Sequence, residues 1–247
     1  MIKKPTSDLF GQVLYNYLHG DKTPYAIVRD DGWREFPEDP TVYFQSGLYD
    51  IERKGLKYAK GHVLDVGCGA GRHALYFQKR KMPVTAIDID RNCVKTAQLR
   101  GVKTVLREDI FHPKILELHK YNTVWLGGNN LGVAGKQEKL PQLFRNLTKL
   151  TTGNAVILAT GLEVEKTTNP DHLAYHRRQK KKGIYPGQMR IRIEYKSSIG
   201  KWFDWLHVSS KLLKQTLSTT PWRIEKIIRS ASGDRHYLAV IRKKSKK

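Results

Sequence analysis

Residues Val63 to Ala74 read VLDVGCGAGRHA, and no other stretch restricts the folding of this chain as much. Three apolar residues around one acid (Val63, Leu64, Asp65, Val66) make a short buried strand. Alternating glycines follow, and a helical pattern begins at Arg72. A strand, a tight glycine turn and a helix N-terminus are how an open α/β sheet offers backbone N–H groups to a ligand at the carboxyl ends of its strands. Gly67, Gly69 and Gly71 allow a close approach, because no Cβ intervenes and positive φ costs them little. The spacing excludes two kinds of grip. A dinucleotide fingerprint would need glycine at position 72, where this chain has arginine, and a Walker loop would end in Gly-Lys-Ser/Thr.

The rest of the first two thirds repeats the strand–helix rhythm. Helix 72–80 precedes strand 83–89, which brings Asp88 to its end 23 residues after Asp65. A carboxylate at that distance suits a ribose diol, whereas Asp90 matches a helix N-cap. Helix 92–100 leads to strand 102–107 and then to Asp109 and Ile110. Strand 121–126 ends in Gly-Gly-Asn-Asn-Leu-Gly, and helix 139–150 precedes strand 155–160. Five alternating units predict a doubly wound, mostly parallel sheet.

An acid two residues before Gly-x-Gly-x-Gly, with acids at the ends of the next two strands, resembles the class I S-adenosylmethionine-dependent methyltransferases. The resemblance implies a Rossmann-like sheet of seven strands, the last antiparallel, and S-adenosyl-L-methionine as cofactor. On the matching positions it implies cofactor contacts by Asp65, Gly67, Cys68, Gly69, Gly71 and Arg72 in the first loop. Asp88 and Ile89 would follow at the ribose, Asp109 and Ile110 at the adenine, and Gly127 and Asn129 after the fourth strand. A structural glycine turn in some other α/β protein is the alternative reading of the loop alone.

The run after the fourth strand excludes two chemistries. It lacks the Pro-Pro-aromatic that amino-methylating nucleic-acid enzymes place after Asp or Asn, and neither cysteine sits in a Pro-Cys nucleophile. GGNNLG, with PGQMRIR and GKWFDWL further on, resembles instead a group of bacterial methyltransferases of unassigned substrate, over residues 60 to 242.

The organisation expected is one domain: a cap at 1–57, a cofactor core at 58–161, an inserted substrate segment at 162–208, and a closing helix with two strands at 209–247. In the cap, Leu9, Val13, Leu14, Tyr17 and Leu18 recur at helical spacing, and a second helix is expected near 47–57. The insert holds a basic polar run from His172 to Lys182. Met189 to Tyr195 then alternates strictly, and with Trp202 to Val208 it reads as a β-hairpin. Asn130, Tyr185, Gln188, Arg190, Arg192, Trp202 and Trp205 are the substrate candidates, the two arginines as a clamp for an acidic small molecule. A general base is needed only if the acceptor must lose a proton, and the candidates are His172, His176 and His207. The terminal KKSKK reads as a disordered tail.

With 45 Lys and Arg against 23 Asp and Glu, the net charge is +22. The excess grows along the chain: 9 against 9 in residues 1–60, 15 against 7 in 61–161, and 21 against 7 in 162–247. An RNA-modifying enzyme would explain that bias, a solvated surface would also produce it, and a cofactor-binding protein without catalysis is a third reading. Two cysteines give neither a disulfide framework nor a metal site. With no apolar leader and no long apolar run, the expected place is the cytoplasm, away from membranes.

Overall fold

The computed structural model describes residues 8–114, 120–230 and 233–244. In chain order the elements are α1 (Leu9–Leu18), β1 (Tyr25–Arg29), β2 (Arg34–Glu38), α2 (Asp50–Leu56), β3 (Val63–Val66), α3 (Arg72–Lys79), β4 (Val84–Asp88), α4 (Arg91–Leu99) and β5 (Val105–Arg107). They continue with β6 (Tyr121–Leu126), α5 (Leu140–Leu150), β7 (Thr151–Leu162), α6 (Pro170–Lys181), β8 (Gln188–Tyr195), β9 (Ser198–Ile199), β10 (Phe203–Leu206), α7 (Ser210–Ser218), β11 (Trp222–Arg229) and β12 (His236–Lys243).

Seven strands form the main sheet in the order β11-β12-β7-β6-β3-β4-β5, with β12 antiparallel to both neighbours and the remaining pairs parallel. Strand order reverses between β3 and β6, so the loops leaving those strands part and open a crevice at their carboxyl ends. Alternation divides the sheet's side chains between two cores. Val63, Val84, Ala86, Val156 and Leu158 pack under α2, α3 and α4, while Leu64, Val66, Ala155, Ile157 and Ala159 pack under α5 and α7.

The expected hairpin is present, but it is half of a larger structure. β10, β8, β1 and β2 make a second, antiparallel sheet, with β9 paired to β8, and its middle joins Tyr25 to Tyr195 and Ile27 to Ile193. The reading of the cap as two helices missed β1 and β2. Their identity as strands rests on a partner some 165 residues away in sequence, and β2, at the sheet edge, is almost wholly exposed and carries Pro37. Helix α1 lies between the two sheets. Leu9 and Val13 face Tyr25, Ile193 and Tyr195, whereas Leu14 faces Ala70 and Cys93.

Other boundaries moved slightly. The third strand of the core starts at Val105 rather than Val102, β7 runs longer than expected in both directions, and the basic run 172–182 is mostly the helix α6. Lys243 and Lys244, placed in a tail from the sequence, are tied down. The Lys244 Nζ donates to the carbonyls of Leu217, Ser218 and Thr220 at 2.7–3.1 Å, and residues 245–247 lie outside the described ones. Among the described residues no helix is long and apolar enough to cross a membrane, and no cluster of His, Cys, Asp and Glu could hold a metal ion.

Candidate active site

The turn after β3 has the backbone that its glycines permit. Gly67, Gly69 and Gly71 have φ of 72°, 53° and 78°. A Cβ on Gly71 would stand 2.6 Å from Val102 Cγ2, and one on Gly67 would stand 2.7 Å from Asn130 Nδ2. The turn is flanked by two carboxyls, Asp65 buried and Asp88 half-buried. Asp65 is fully buried, neither of its oxygens has a hydrogen-bond partner, and burial pushes its pKa up to about 6. Asp88 accepts from the N–H of Gly69 and of Asp90, both at 2.9 Å, and burial raises it to about 6 as well. Asp90 caps α4 through the N–H groups of Asn92 and Cys93 and also accepts from Gly11 N at 2.9 Å, so it seats α1 over the turn.

Between these acids Ile89 leaves 64% of its surface exposed, more than any other large apolar residue described. Ile110, by contrast, is buried in the core beneath α5. Asp109 accepts from Phe111 N at 2.9 Å and faces His112 at 3.0 Å. Cys68 is buried, and its thiol pKa is driven well up by burial.

Arg72, expected at the cofactor, points the other way. Its guanidinium donates to Glu52 at 2.9 and 3.1 Å and to the Gly47 carbonyl at 2.9 Å, and it lies over the Tyr49 ring. His73 Nε2 is 2.9 Å from the same carboxylate. Burial would raise the Glu52 pKa, but His73 and Arg72 hold it at about 2. Arg100, which sequence reasoning did not single out, does similar work. It donates to the carbonyls of Tyr43 and Phe44 at 3.1 Å and of Ala70 at 2.5 Å. Two arginines therefore hold residues 43–52 of the cap against the glycine turn.

The two asparagines after β6 have divided roles. Asn130, expected at the substrate, donates from Nδ2 to the carbonyls of Val66 and Gly67 at 2.8 and 2.7 Å. Asn129, expected at the cofactor, has φ +63°, donates its N–H to Thr160 at 2.8 Å, and keeps a buried Oδ1 without a partner. Gly127 packs so closely on Trp125 and His73 that a Cβ would lie within 2.6 Å of both.

Of the substrate candidates in the insert, Trp205 alone reaches this run. A Cβ on Gly132 would stand 2.4 Å from its ring. Arg190 and Arg192 lie on the outer face of β8, because Ile193 and Tyr195, which alternate with them, are the residues that face α1. Arg192 pairs with Glu194 and lies over Trp202, and Arg190 is exposed. The expected acidic-substrate clamp is therefore turned away from the crevice. Tyr185 accepts from Ser209 N, and Gln188 accepts from Gln137 N through its side chain. A cleft of about 700 Å³ adjoins both, lined also by Lys136, Gln215 and Thr219, and the glycine turn does not contribute to it.

The three histidines do not form a relay. His172 Nδ1 accepts from Arg29 Nη1 at 3.0 Å, which places the neutral ring's proton on Nε2, and Trp33 crosses it edge-on. Burial, with Arg29 and Arg235 nearby, lowers its pKa. Burial likewise lowers His176, and burial, with His236 and the guanidinium of Arg235 nearby, brings His207 down to about 4. Arg29 itself is buried, held by Asp31 and stacked on Tyr175, and so ties the β1–β2 hairpin to α6. Its sequence signal, one arginine at the end of a short strand, was too common to notice.

Comparison with known proteins agrees with this geometry. Residues 63–152 match the model of a methyltransferase domain family. A protein of Geobacillus sp. (strain WCH70) that carries a methyltransferase name is 26% identical over 153 residues, 60% of this chain and 59% of its own length. The ubiquinone biosynthesis O-methyltransferase of Xylella fastidiosa (strain 9a5c) is 27% identical over 104 residues, 42% of each chain. This chain thus spans about three fifths and two fifths of the lengths of those relatives. Among solved structures, a SAM-dependent methyltransferase from Bacteroides fragilis in complex with S-adenosyl-L-homocysteine superposes with a TM-score of 0.81 at 23% identity, over 98% of this chain and 97% of that one. A SAM-dependent methyltransferase from Methanosarcina mazei gives 0.61 at 16% identity, over 81% and 99%. Both are likenesses of fold. Residues 63–152 are thus similar to the methyltransferase domain family, and the chain shares its fold with solved S-adenosylmethionine-dependent methyltransferases.

Proposed function

We propose that this chain transfers a methyl group from S-adenosylmethionine to a nucleophilic atom of a small molecule. The observation that carries the reading is the glycine turn between the half-buried Asp88 and the fully buried Asp65, whose oxygens have no hydrogen-bond partner. A buried unpaired carboxylate is costly, and a bound ammonium offsets that cost. The residues fit the cofactor from end to end. Asp65 suits its ammonium, and Asp88 retains lone pairs for the ribose hydroxyls. The exposed flank of Ile89 offers an apolar face to adenine, and Asp109 an acceptor to its amine.

When bound, the cofactor supplies a methyl group on a sulfonium, which is already activated for transfer. The protein's part is to align the acceptor and exclude water. Asn130 fixes the turn that would hold the cofactor, and α1 with the two arginine-held segments covers it. The acceptor belongs beyond β6, between the Asn129 tip and the inner face of the second sheet. Support for that placement is Trp205 packed on Gly132 and the unpartnered Oδ1 of Asn129.

Calorimetry with S-adenosylmethionine, S-adenosylhomocysteine and NAD tests the cofactor: the first two should bind and NAD should not. Incubation of the protein and cell extract with methyl-labelled cofactor tests the reaction. Label should appear in a low-molecular-weight product, and tight NAD binding or a complete lack of transfer would overturn the reading.

A further inference from the structure

The insert carries a surface that methyl transfer does not use. Helix α6 buries only Tyr175 and Gln179, and its outward face carries Arg177, Lys180 and Lys181, at i, i+3 and i+4. All three are exposed, and none has an acid within ion-pair distance among the described residues; Arg178, on the flank, pairs with Asp30. Beyond the helix N-terminus, past the exposed Asp171, Leu173 and Ala174 of its first turns, lies a second cluster. There a groove of about 400 Å³ is lined by Lys166, Thr167, Thr168, Asn169 and Arg235, with Asp234 its one acid. Cations, hydroxyls and an amide in one groove are the donor set that phosphate oxygens take.

We infer that this strip, from Lys166 along α6 to Lys181, binds the sugar-phosphate backbone of single-stranded RNA. A helix of this length spans about 18 Å, the reach of roughly three phosphates on an extended strand. Charge complementarity selects the partner. The chain carries a net +22, and its excess is greatest in the segment that contains α6. An anionic membrane is the poorer match, because the exposed side of α6 offers no aromatic residue and Leu173 as its one large apolar side chain. The strip borders the carboxyl edge of β7, yet it stands independently of the methyl-transfer reading.

The test uses the full chain and a fluorescent 20-nucleotide oligouridylate, titrated across a salt series. Phosphate contacts give log K a slope of about −0.7 per phosphate on single strands. Arg177→Ala/Lys180→Ala/Lys181→Ala should therefore reduce the slope by about 2 and weaken binding more than tenfold at low salt. S-adenosylhomocysteine affinity, measured on the same samples, should not change, which separates loss of the strip from loss of the fold or of the cofactor site. A control removes the same charge from exposed lysines elsewhere, Lys79→Ala/Lys103→Ala/Lys149→Ala, and should leave RNA binding within about twofold of the parent. The inference is overturned if the parent protein does not bind the oligonucleotide, if the two triple variants lose equal affinity, or if phosphatidylserine vesicles bind through these residues while RNA does not.

Discussion

The side-chain amide of Asn130 donates to the carbonyl of Gly67 at 2.7 Å, and so the turn after β6 holds the turn after β3 in place. The same nitrogen reaches Val66 O at 2.8 Å. Asn130→Asp removes both donors and sets a carboxylate against two carbonyls. It should weaken S-adenosylhomocysteine binding by about 1–3 kcal/mol, the range for leaving buried polar groups unpaired. Calorimetry on a variant whose melting temperature is close to the parent's measures this. An unchanged affinity would mean that the turn keeps its shape unaided.

Removing the acid at the end of β4 should act on the cofactor directly. Asp88→Ala is expected to cost about 1–3 kcal/mol of cofactor affinity. Asp90→Ala should instead act through α1, by removing the α4 cap and the acceptor for Gly11 N, and lower the melting temperature. If Asp90→Ala proved the greater loss at the cofactor and Asp88→Ala were silent, the roles of the two acids would be exchanged.

Cofactor affinity should depend on pH through the same turn. Burial raises Asp65 and Asp88 to about 6, so both are ionised at pH 7.5 and both neutralise as pH falls through 6. Binding of a cationic ligand should be flat above about pH 7 and weaken below 6, visible as a break in a plot of log Kd against pH. On the empty protein these two groups act in the opposite sense. Their folded pKa lies above the unfolded value, so the folded form binds protons more tightly. Their contribution to stability is fully present below the unfolded value and is lost as pH rises through 6.

The Glu52–Arg72 pair is an interior one, its side chains 2% and 8% exposed. Arg72→Met leaves a buried carboxylate with only His73 and the Tyr49 N–H beside it and should cost about 3–5 kcal/mol in urea denaturation. The double replacement Arg72→Met/Glu52→Leu should recover part of that loss. Equal losses in the single and double variants would show that packing of the cap, rather than the unpaired charge, sets the cost.

Arg190→Ala and Arg192→Ala should each leave label transfer in extract within about twofold of the parent, because both side chains lie on the outer face of β8. Loss of transfer in either variant would return the arginines to the substrate site.

The cofactor half of the molecule was legible because its signals are local. The spacing of Asp65, the three glycines and Asp88 lies within 24 residues, and each βα unit repeats the same alternation of periods. The substrate half was less so. Met189 to Tyr195 announced a strand, but alternation alone does not say which face is inward. Arg190 and Arg192 were read as pointing in because the partner that settles the matter, α1, is nearly two hundred residues away. Tyr25 to Arg29 was missed for the same reason, and so were Arg29 and Arg100. A single arginine becomes informative only when three carbonyls or an Asp and a His are found around it. Asn129 and Asn130 show the limit most closely. The pair was recognised as one feature, and only coordinates reveal which of the two supports the turn.

The second sheet takes β1 and β2 from the start of the chain and β8, β9 and β10 from beyond the main sheet's fifth strand, with the whole cofactor crevice in between. As the chain leaves the ribosome, the hairpin of residues 25–38 has no partner until roughly 155 more residues have been made. The strands that would hold the cofactor can pair long before then. Closing so long a loop is slow and needs the intervening fold as a scaffold. The nascent protein thus acquires the strands of its crevice before the roof over them. Removing the first 57 residues would therefore do more than uncover the crevice: it would leave Ile191, Ile193 and Tyr195 on a bare strand edge, a surface fitted to pair with another chain.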